Sequence, residues 1–233
     1  MTPTRNLARL CGLLYLVVIA TGLFAEVFVR QAAIVPGDAL ATVRNIRAAE
    51  FRFRLGFTAD LINLICGLPV ITFFYFLFKP VNRYLTMLAI FFGIISNAVV
   101  AVNLLHQLTP LLLLGGGPWL AAFLPGQIAA LSSSALALGE EGYAIALVFF
   151  GCYCIIFGWL IYRSALLPRV LGILYALAGL CYIINSFTGF LTPGFHNPLF
   201  PVILLPSFIG ELAVAVWLLI KGVKETRSLQ PII

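Results

Sequence analysis

The sequence predicts an all-α, polytopic membrane protein with six transmembrane helices and an amphipathic interfacial helix in the first outer loop. Three observations carry that prediction. Of the 233 residues, 62% are hydrophobic and 9% charged, against roughly 45–50% and 25% in a soluble globular domain. Mean hydropathy is +1.10. Several apolar runs reach about 20 residues, enough to cross a hydrocarbon layer of roughly 30 Å. A cytosolic enzyme is excluded, and residues 1–233 read as a single integral membrane domain.

The first span is Leu10 to Val29. Arg5 and Arg9 before it imitate a signal peptide, but its apolar run exceeds the roughly 7–15 residues of a signal core, so the helix is expected to be retained. Pro36-Gly37-Asp38 then turns the chain, and Asp38 caps a short helix. Leu40, Val43 and Ile46 sit at helical spacing on it, which predicts a helix lying along the interface. The second span runs from about Leu55 to Phe78 and stops at Lys79-Pro80; the third starts near Tyr84 and continues at least to Leu105. Leu108 to Gly142 is apolar but broken by Pro110, Gly115-Gly116-Gly117-Pro118 and Pro125-Gly126. It predicts an extension of the third helix plus an interfacial or partly re-entrant helix, with Ser132-Ser133-Ser134 at a cap or connector. Spans four to six are Gly142 to Tyr162, Val170 to Leu191 and Val202 to Ile220.

Six spans put both termini on one side. With the N-terminus inside, the inner flanks hold Arg5, Arg9, Lys79, Arg83, Arg163, Arg169, Lys221, Lys224 and Arg227, and the outer ones Arg30, Arg44, Arg47, Arg52 and Arg54. That excess predicts a cell-membrane protein with cytoplasmic termini. The five arginines of the first outer loop run against the rule, whereas the other two outer loops carry no Lys or Arg.

The formal charge of +6 would point to nucleic acid in a soluble chain. Here the basic residues border apolar runs, and no basic stretch interleaves aromatics on a polar face, so no nucleic-acid partner is expected. Membrane lipid is the expected surrounding, and a homodimer or a complex with a membrane partner subunit the expected assembly. Cys11, Cys66, Cys152, Cys154 and Cys181 all lie in apolar runs and behave as small hydrophobes. Neither metal nor cofactor is expected. A zinc hydrolase gathers three protein ligands, and His106 and His196 with scattered carboxylates match no such spacing. Gly115-Gly116-Gly117 lacks the Lys-Ser/Thr of a phosphate loop, and there is no Gly-x-Ser-x-Gly elbow.

Ionisable side chains inside the apolar runs are the remaining signal, because each costs at least about 2.5–3.5 kcal/mol near a bilayer centre on insertion scales. Glu211 lies near the middle of span six, with Ser207 one turn before it and Pro206 loosening the backbone. Asp60 shares a face of span two with Gly56, Asn63 and Gly67, and Glu26 ends span one. Asn103, His106 and Gln107 form a polar stripe on span three. The functional reading is a polar pocket with Asp60 and Glu211 as charged members and Asn63, Asn103 and His106 as orienting groups, which binds a cation, a proton or a small polar ligand. The structural reading is that these groups are helix-to-helix glue. Glu26, Arg30, Arg52 and Arg54 are candidates for ion pairs at the outer mouth, or for snorkelling charges. Tyr175, Gly179, Tyr182 and Ser186 form a stripe on span five, which reads first as close helix packing. One internal echo stands out: Arg9-Leu-Cys-Gly12-Leu-Leu-Tyr15 opens span one and Arg169-Val-Leu-Gly172-Ile-Leu-Tyr175 opens span five.

Several short motifs are informative when read together. They are Ala8-Arg9 with Gly12-Leu-Leu-Tyr15; Val35-Pro-Gly-Asp38 with Thr42 and Asn45; Phe53-Arg-Leu-Gly56 leading to Asp60-Leu61; and Lys79-Pro-Val-Asn82. Phe149-Phe-Gly151, Tyr162-Arg-Ser164, Leu167-Pro-Arg169 with Gly172, and Gly210-Glu-Leu212 before Trp217-Leu-Leu-Ile-Lys-Gly222 follow. As a set these resemble a family of uncharacterised bacterial and archaeal membrane proteins, domain of unknown function 4386, over nearly the whole chain. The resemblance implies the multi-pass fold and no activity. It also implies histidines just before and inside the fourth span, where this chain reads Gly139-Glu-Glu-Gly142 and Gly151-Cys-Tyr-Cys154. A small-molecule or ion binding or transport bundle is the favoured function. An intramembrane lipid-modifying enzyme, for which no catalytic motif is recognisable, and a non-catalytic subunit or sensor are the alternatives.

Overall fold

The computed structural model describes residues 5–192 and 202–223; His196, Lys224 and Arg227 lie outside them. Helices account for nearly all the described residues, with no strand among them. They are α1 (Arg5–Leu23), α2 (Gln31–Ala33), α3 (Ala39–Ala48), α4 (Glu50–Phe78), α5 (Arg83–Leu114), α6 (Pro125–Arg163), α7 (Arg169–Leu191) and α8 (Leu205–Ile220). Six stretches are long and apolar enough to cross a membrane: Arg5–Ala33, Glu50–Phe78, Arg83–Leu114, Pro125–Arg163, Arg169–Leu191 and Val202–Ile220. The protein is an all-α polytopic membrane protein.

Between α1 and α2 the backbone winds as a π-helix, Phe24–Arg30, which nothing in the apolar run announces. The turn after α2 forms as its residues dictate. Gly37 takes the left-handed φ of +78° that a side chain resists, and Asp38 Oδ1 accepts from Ala41 N at 2.8 Å to cap α3. Thr42 Oγ1 accepts from Val35 N at 2.9 Å, and Asn45 Nδ2 reaches Ala33 O at 3.3 Å. The Val35-to-Asn45 motif therefore builds this turn. On α3, Val43, Ile46 and Thr42 are buried while Leu40 is exposed. Steps of three drift around a helix of 3.6 residues per turn, so Leu40 leaves the face that Ile46 occupies.

The 108–142 segment departs from expectation. α5 continues through Pro110 to Leu114, Gly116 turns at φ +79°, a short 3-10 turn covers Pro118–Ala122, and α6 then runs unbroken for 39 residues. Pro125 opens α6, where its missing N–H costs nothing. Ser132-Ser133-Ser134 are therefore helical, not a cap or connector, and Ser132 is fully buried. At 1.5 Å per residue α6 is about 58 Å long, roughly twice the hydrocarbon thickness. Pro206 likewise lies in the first turn of α8 and starts that helix rather than loosening it.

The chain divides into two compact units, Met1–Val17 with Cys66–Asn97 and Ile145–Ile233, and Val18–Ile65 with Ala98–Ala144. In the first, glycines let helix backbones touch. A Cβ on Gly12 would stand 2.7 Å from Ala215 O and against Leu219 N of α8. One on Gly172 would stand 2.5 Å from Gly158 O and 2.7 Å from Tyr162 N of α6. The two glycines of the Arg-to-Tyr echo thus each sit over an i, i+4 backbone step of a neighbouring helix. Gly210 of α8 would meet Leu174 O of α7 at 2.6 Å. Phe74, Phe78, Tyr153, Phe157 and Tyr175 fill the centre of this unit, with Phe74 and Phe157 centroids 5.1 Å apart. In the second unit Val29, Ala33, Ile46, Phe53, Leu111 and Leu136 form the core.

Charge divides unevenly. Among described residues, the first unit sets a lone carboxylate, Glu211, against Arg5, Arg9, Lys79, Arg83, Arg163, Arg169 and Lys221. The second balances Arg30, Arg44, Arg47, Arg52 and Arg54 with Glu26, Asp38, Glu50, Asp60, Glu140 and Glu141. All five cysteines are free.

Gly172→Ala should lower the stability of the purified protein by about 1–3 kcal/mol through overpacking. Gly189→Ala, on the same helix with open space at its Cβ position, should be neutral or stabilising by up to about 1 kcal/mol. Denaturant unfolding in detergent checks both, and equal effects would refute the close backbone contact.

Candidate functional site

Two polar clusters occupy the apolar helices, one in each unit. In the first unit Glu211, 7% exposed, is carried on α8 by the same face as Ser207, whose hydroxyl donates to Ala178 O at 3.0 Å. Glu211 Oε2 accepts from Tyr15 of α1 at 2.9 Å, and Oε1 accepts a short hydrogen bond from Tyr182 of α7. The Tyr15 and Tyr175 hydroxyls are 2.8 Å apart. Since the Tyr15 proton goes to Glu211, Tyr175 donates to Tyr15, and a chain Tyr175–Tyr15–Glu211 results. The partners at the end of each echo, Tyr15 and Tyr175, thereby meet. Ser186, one turn beyond Tyr182, is buried with its hydroxyl unpaired among the described residues. No ion pair among the described residues reaches Glu211.

In the second unit the centre is Arg30. Its Nε donates to Glu26 Oε2 at 2.7 Å and its Nη1 to Asp60 Oδ2 at 2.6 Å. Gln107 of α5 donates to the same Asp60 oxygen at 2.9 Å. The π turn explains the crowding on Glu26: with i→i+5 bonding, Arg30 and Gln31 both come round over it, and Gln31 Nε2 lies 3.3 Å from Glu26 Oε1. The side chains of Arg30 and Asp60 are 19% and 11% exposed, against 48% for Glu26. The helix holding Asp60 is brought close by Gly56, whose Cβ position is 2.7 Å from Val29 Cγ1. Glu140 of α6 is within electrostatic reach of Glu26 and Arg30.

The remaining candidates divide between these roles. Asn63 Nδ2 donates to Val18 O at 2.7 Å, joining α4 to α1. Asn103 Nδ2 donates to Gly139 O at 2.7 Å, its Oδ1 lies 3.0 Å from His106 Nδ1, and Gly142 packs on it. The Gly139-to-Gly142 stretch, where the family resemblance implies a histidine, is thus the seat of Asn103. Arg54 pairs with Glu50 at 2.7 Å, with both side chains more than half exposed, and Arg52 is exposed.

The sequence pattern places Gln107 on the polar stripe of α5 without indicating its partner, and the Tyr175/Tyr182 stripe reads first as packing, whereas in the structure both tyrosine hydroxyls join the Glu211 cluster. The seven-residue spacing of the two tyrosines was the available signal, because it places both on one face of α7. Among described residues no group of three His, Cys, Asp or Glu is arranged to hold a metal ion.

Asp60→Asn should cost about 2 kcal/mol, since it removes the more buried of the two carboxylates that face a mostly buried guanidinium and leaves only the half-exposed Glu26. Glu50→Gln, at the exposed pair, should cost less than about 1 kcal/mol. Unfolding curves of the two variants check the contrast, and comparable losses would show that Arg30 is well solvated.

No solved structure matches the chain. An "Uncharacterized protein" of Archaeoglobus fulgidus is 30% identical over 163 residues, which is 69% of this chain and 80% of that relative. The family model described as domain of unknown function DUF4386 matches residues 10–222. With most of its length covered by that model, the chain, with its six helices long and apolar enough to cross a membrane, belongs to the DUF4386 family.

Proposed function

We propose that this multi-pass protein resides in the cell membrane with cytoplasmic termini and binds and passes a small ion, with Glu211 as the group that takes up its charge. One observation carries the reading: Glu211 is a buried carboxyl in an apolar helix, held by two tyrosine hydroxyls, with no cation against it among the described residues. A bare charge in hydrocarbon costs at least about 2.5–3.5 kcal/mol, so a bound proton or cation stabilises the site.

The donor set favours the proton. Tyr15 and Tyr182 spend their hydroxyl hydrogens on the carboxyl, and Tyr175 extends the chain of O–H groups by one link. Such a chain passes a proton when each oxygen accepts one proton as it releases another and the hydroxyls then reorient, without a cage of oxygen lone pairs. Asp60 is the second proposed charged member, compensated by Arg30 and steadied by Gln107. Asn63 orients the helix that carries Asp60, and Asn103 and His106 the helix that carries Gln107. Membrane lipid surrounds the protein in this reading, which works as a homodimer or beside a membrane partner subunit.

Protein reconstituted in liposomes with an internal pH-sensitive dye tests the proposal under an imposed potassium diffusion potential. Wild type should acidify or alkalinise the lumen according to the sign of the potential. Glu211→Gln should abolish the flux, and Tyr182→Phe should reduce it several-fold while the folded yield persists. Flux through Glu211→Gln equal to wild type would defeat the reading.

A further inference from the structure

The end of the first unit formed by the α4–α5 and α6–α7 turns carries a feature that ion binding at Glu211 does not use. A cavity of about 260 Å³ opens there, lined by Leu77, Pro80, Val81, Arg163, Ser164, Ala165 and Leu166. Leu77 and Leu166 are buried and give it an apolar wall, while Arg163 is exposed and gives it a charged one. Neither turn contains a carboxylate: residues 79–83 read Lys-Pro-Val-Asn-Arg and residues 163–169 Arg-Ser-Ala-Leu-Leu-Pro-Arg. No ion pair among the described residues involves Arg163. The Ser164 hydroxyl already donates to Ile161 O at 3.0 Å, so the recognising charge is that of Arg163.

Three cations of these turns lie over aromatic rings. Lys79 is 5.5 Å from the Tyr75 centroid, Arg163 5.7 Å from Trp159, and Arg169 5.7 Å from Tyr162. Each aromatic precedes its cation on a helix or across the turn, so the apolar stem and ring point along the helices while the charge is held at their end. That is the arrangement expected of a membrane–water interface, where aromatic belts and snorkelling cations collect. Basic pockets between transmembrane helices at that level meet lipid phosphates.

We propose that this cavity seats the headgroup of an anionic phospholipid. Arg163 faces the phosphate, Lys79, Arg83 and Arg169 supply the surrounding positive field, and the Leu77–Leu166 wall takes the glycerol and the start of an acyl chain. The volume admits a headgroup and excludes a whole two-chain lipid, so the tails remain in the bilayer.

The test is thermal unfolding of the detergent-solubilised full chain with added phosphatidylglycerol, phosphatidylcholine of the same acyl chains, or inorganic phosphate. Phosphatidylglycerol should raise Tm by roughly 3 °C or more above phosphatidylcholine, as a ligand of the folded state does. Arg163→Gln and Ala165→Leu, the second filling the cavity without altering charge, should each remove that increment while leaving Tm in phosphatidylcholine near wild type. Arg9→Gln, which removes a charge of the same unit that does not line the cavity, should keep it. Equal shifts with the two lipids would overturn the proposal. So would an increment that survives in Arg163→Gln or Ala165→Leu, an equal loss in Arg9→Gln, which marks diffuse charge attraction, or reproduction of the increment by inorganic phosphate alone, which marks a soluble-anion site. Should either cavity variant fail to fold, the remaining one decides.

Discussion

Glu211 accepts hydrogen bonds from α1 and α7 while riding on α8, so three helices must hold one register for a carboxyl to remain satisfied in an apolar medium. A misplacement that lengthened either bond past about 3.5 Å would leave a polar group without water to replace its partner. Glycines make the register possible. Gly12 and Gly210 let α8 approach α1 and α7 at backbone contact, and a hydroxyl on a tyrosine ring then spans the remaining gap. The polar bonds and the small residues are thus one device. Both act where between helices in lipid there is no hydrophobic drive to compensate a poor fit.

The second unit solves the same problem with charge. Arg30 meets two carboxylates, and Asp60 is met in turn by Gln107, so the mostly buried Arg30–Asp60 pair is compensated while the second carboxylate, Glu26, keeps its charge half exposed. Here the enabling element is the π turn, which gathers Glu26, Arg30 and Gln31 on one side of the first span. A regular α-helix would carry Gln31 roughly 100° past Arg30. The contrast between the clusters gives them different surroundings: the Arg30 set supplies its own counter-charge, whereas the Glu211 set has hydroxyl donors and, among the described residues, no cation.

The family motifs divide along the same line. Val35-to-Asn45 builds a capped turn, Phe53-to-Asp60 supplies a core residue, a contact glycine and the Arg30 partner, and Asn82 caps α5 by accepting from Leu85 N at 3.0 Å. Gly210-Glu211 supplies a contact glycine and the buried carboxyl together. Most of the motif residues therefore specify helix ends and helix contacts, and Asp60 and Glu211 join those contacts through charged groups.

The sequence by itself determined the solvent, the helical class and the six spans, because apolar length and composition are local properties that a bilayer reads directly. It also marked Asp60 and Glu211, since an acid in an apolar run is visible without knowing its neighbours, and the Asp38 cap, whose bond closes within three residues. Tertiary structure alone decided who meets whom. Tyr15 lies 196 positions from Glu211 and Gln107 lies 47 from Asp60, and spacing along one helix carries no information about which helix stands beside it. The continuous α6 escaped sequence reading for a related reason. Glycine and proline are penalised helix residues on average, but a proline in the first turn loses nothing, and burial of Ser132, Ala135 and Leu136 outweighs weak propensity.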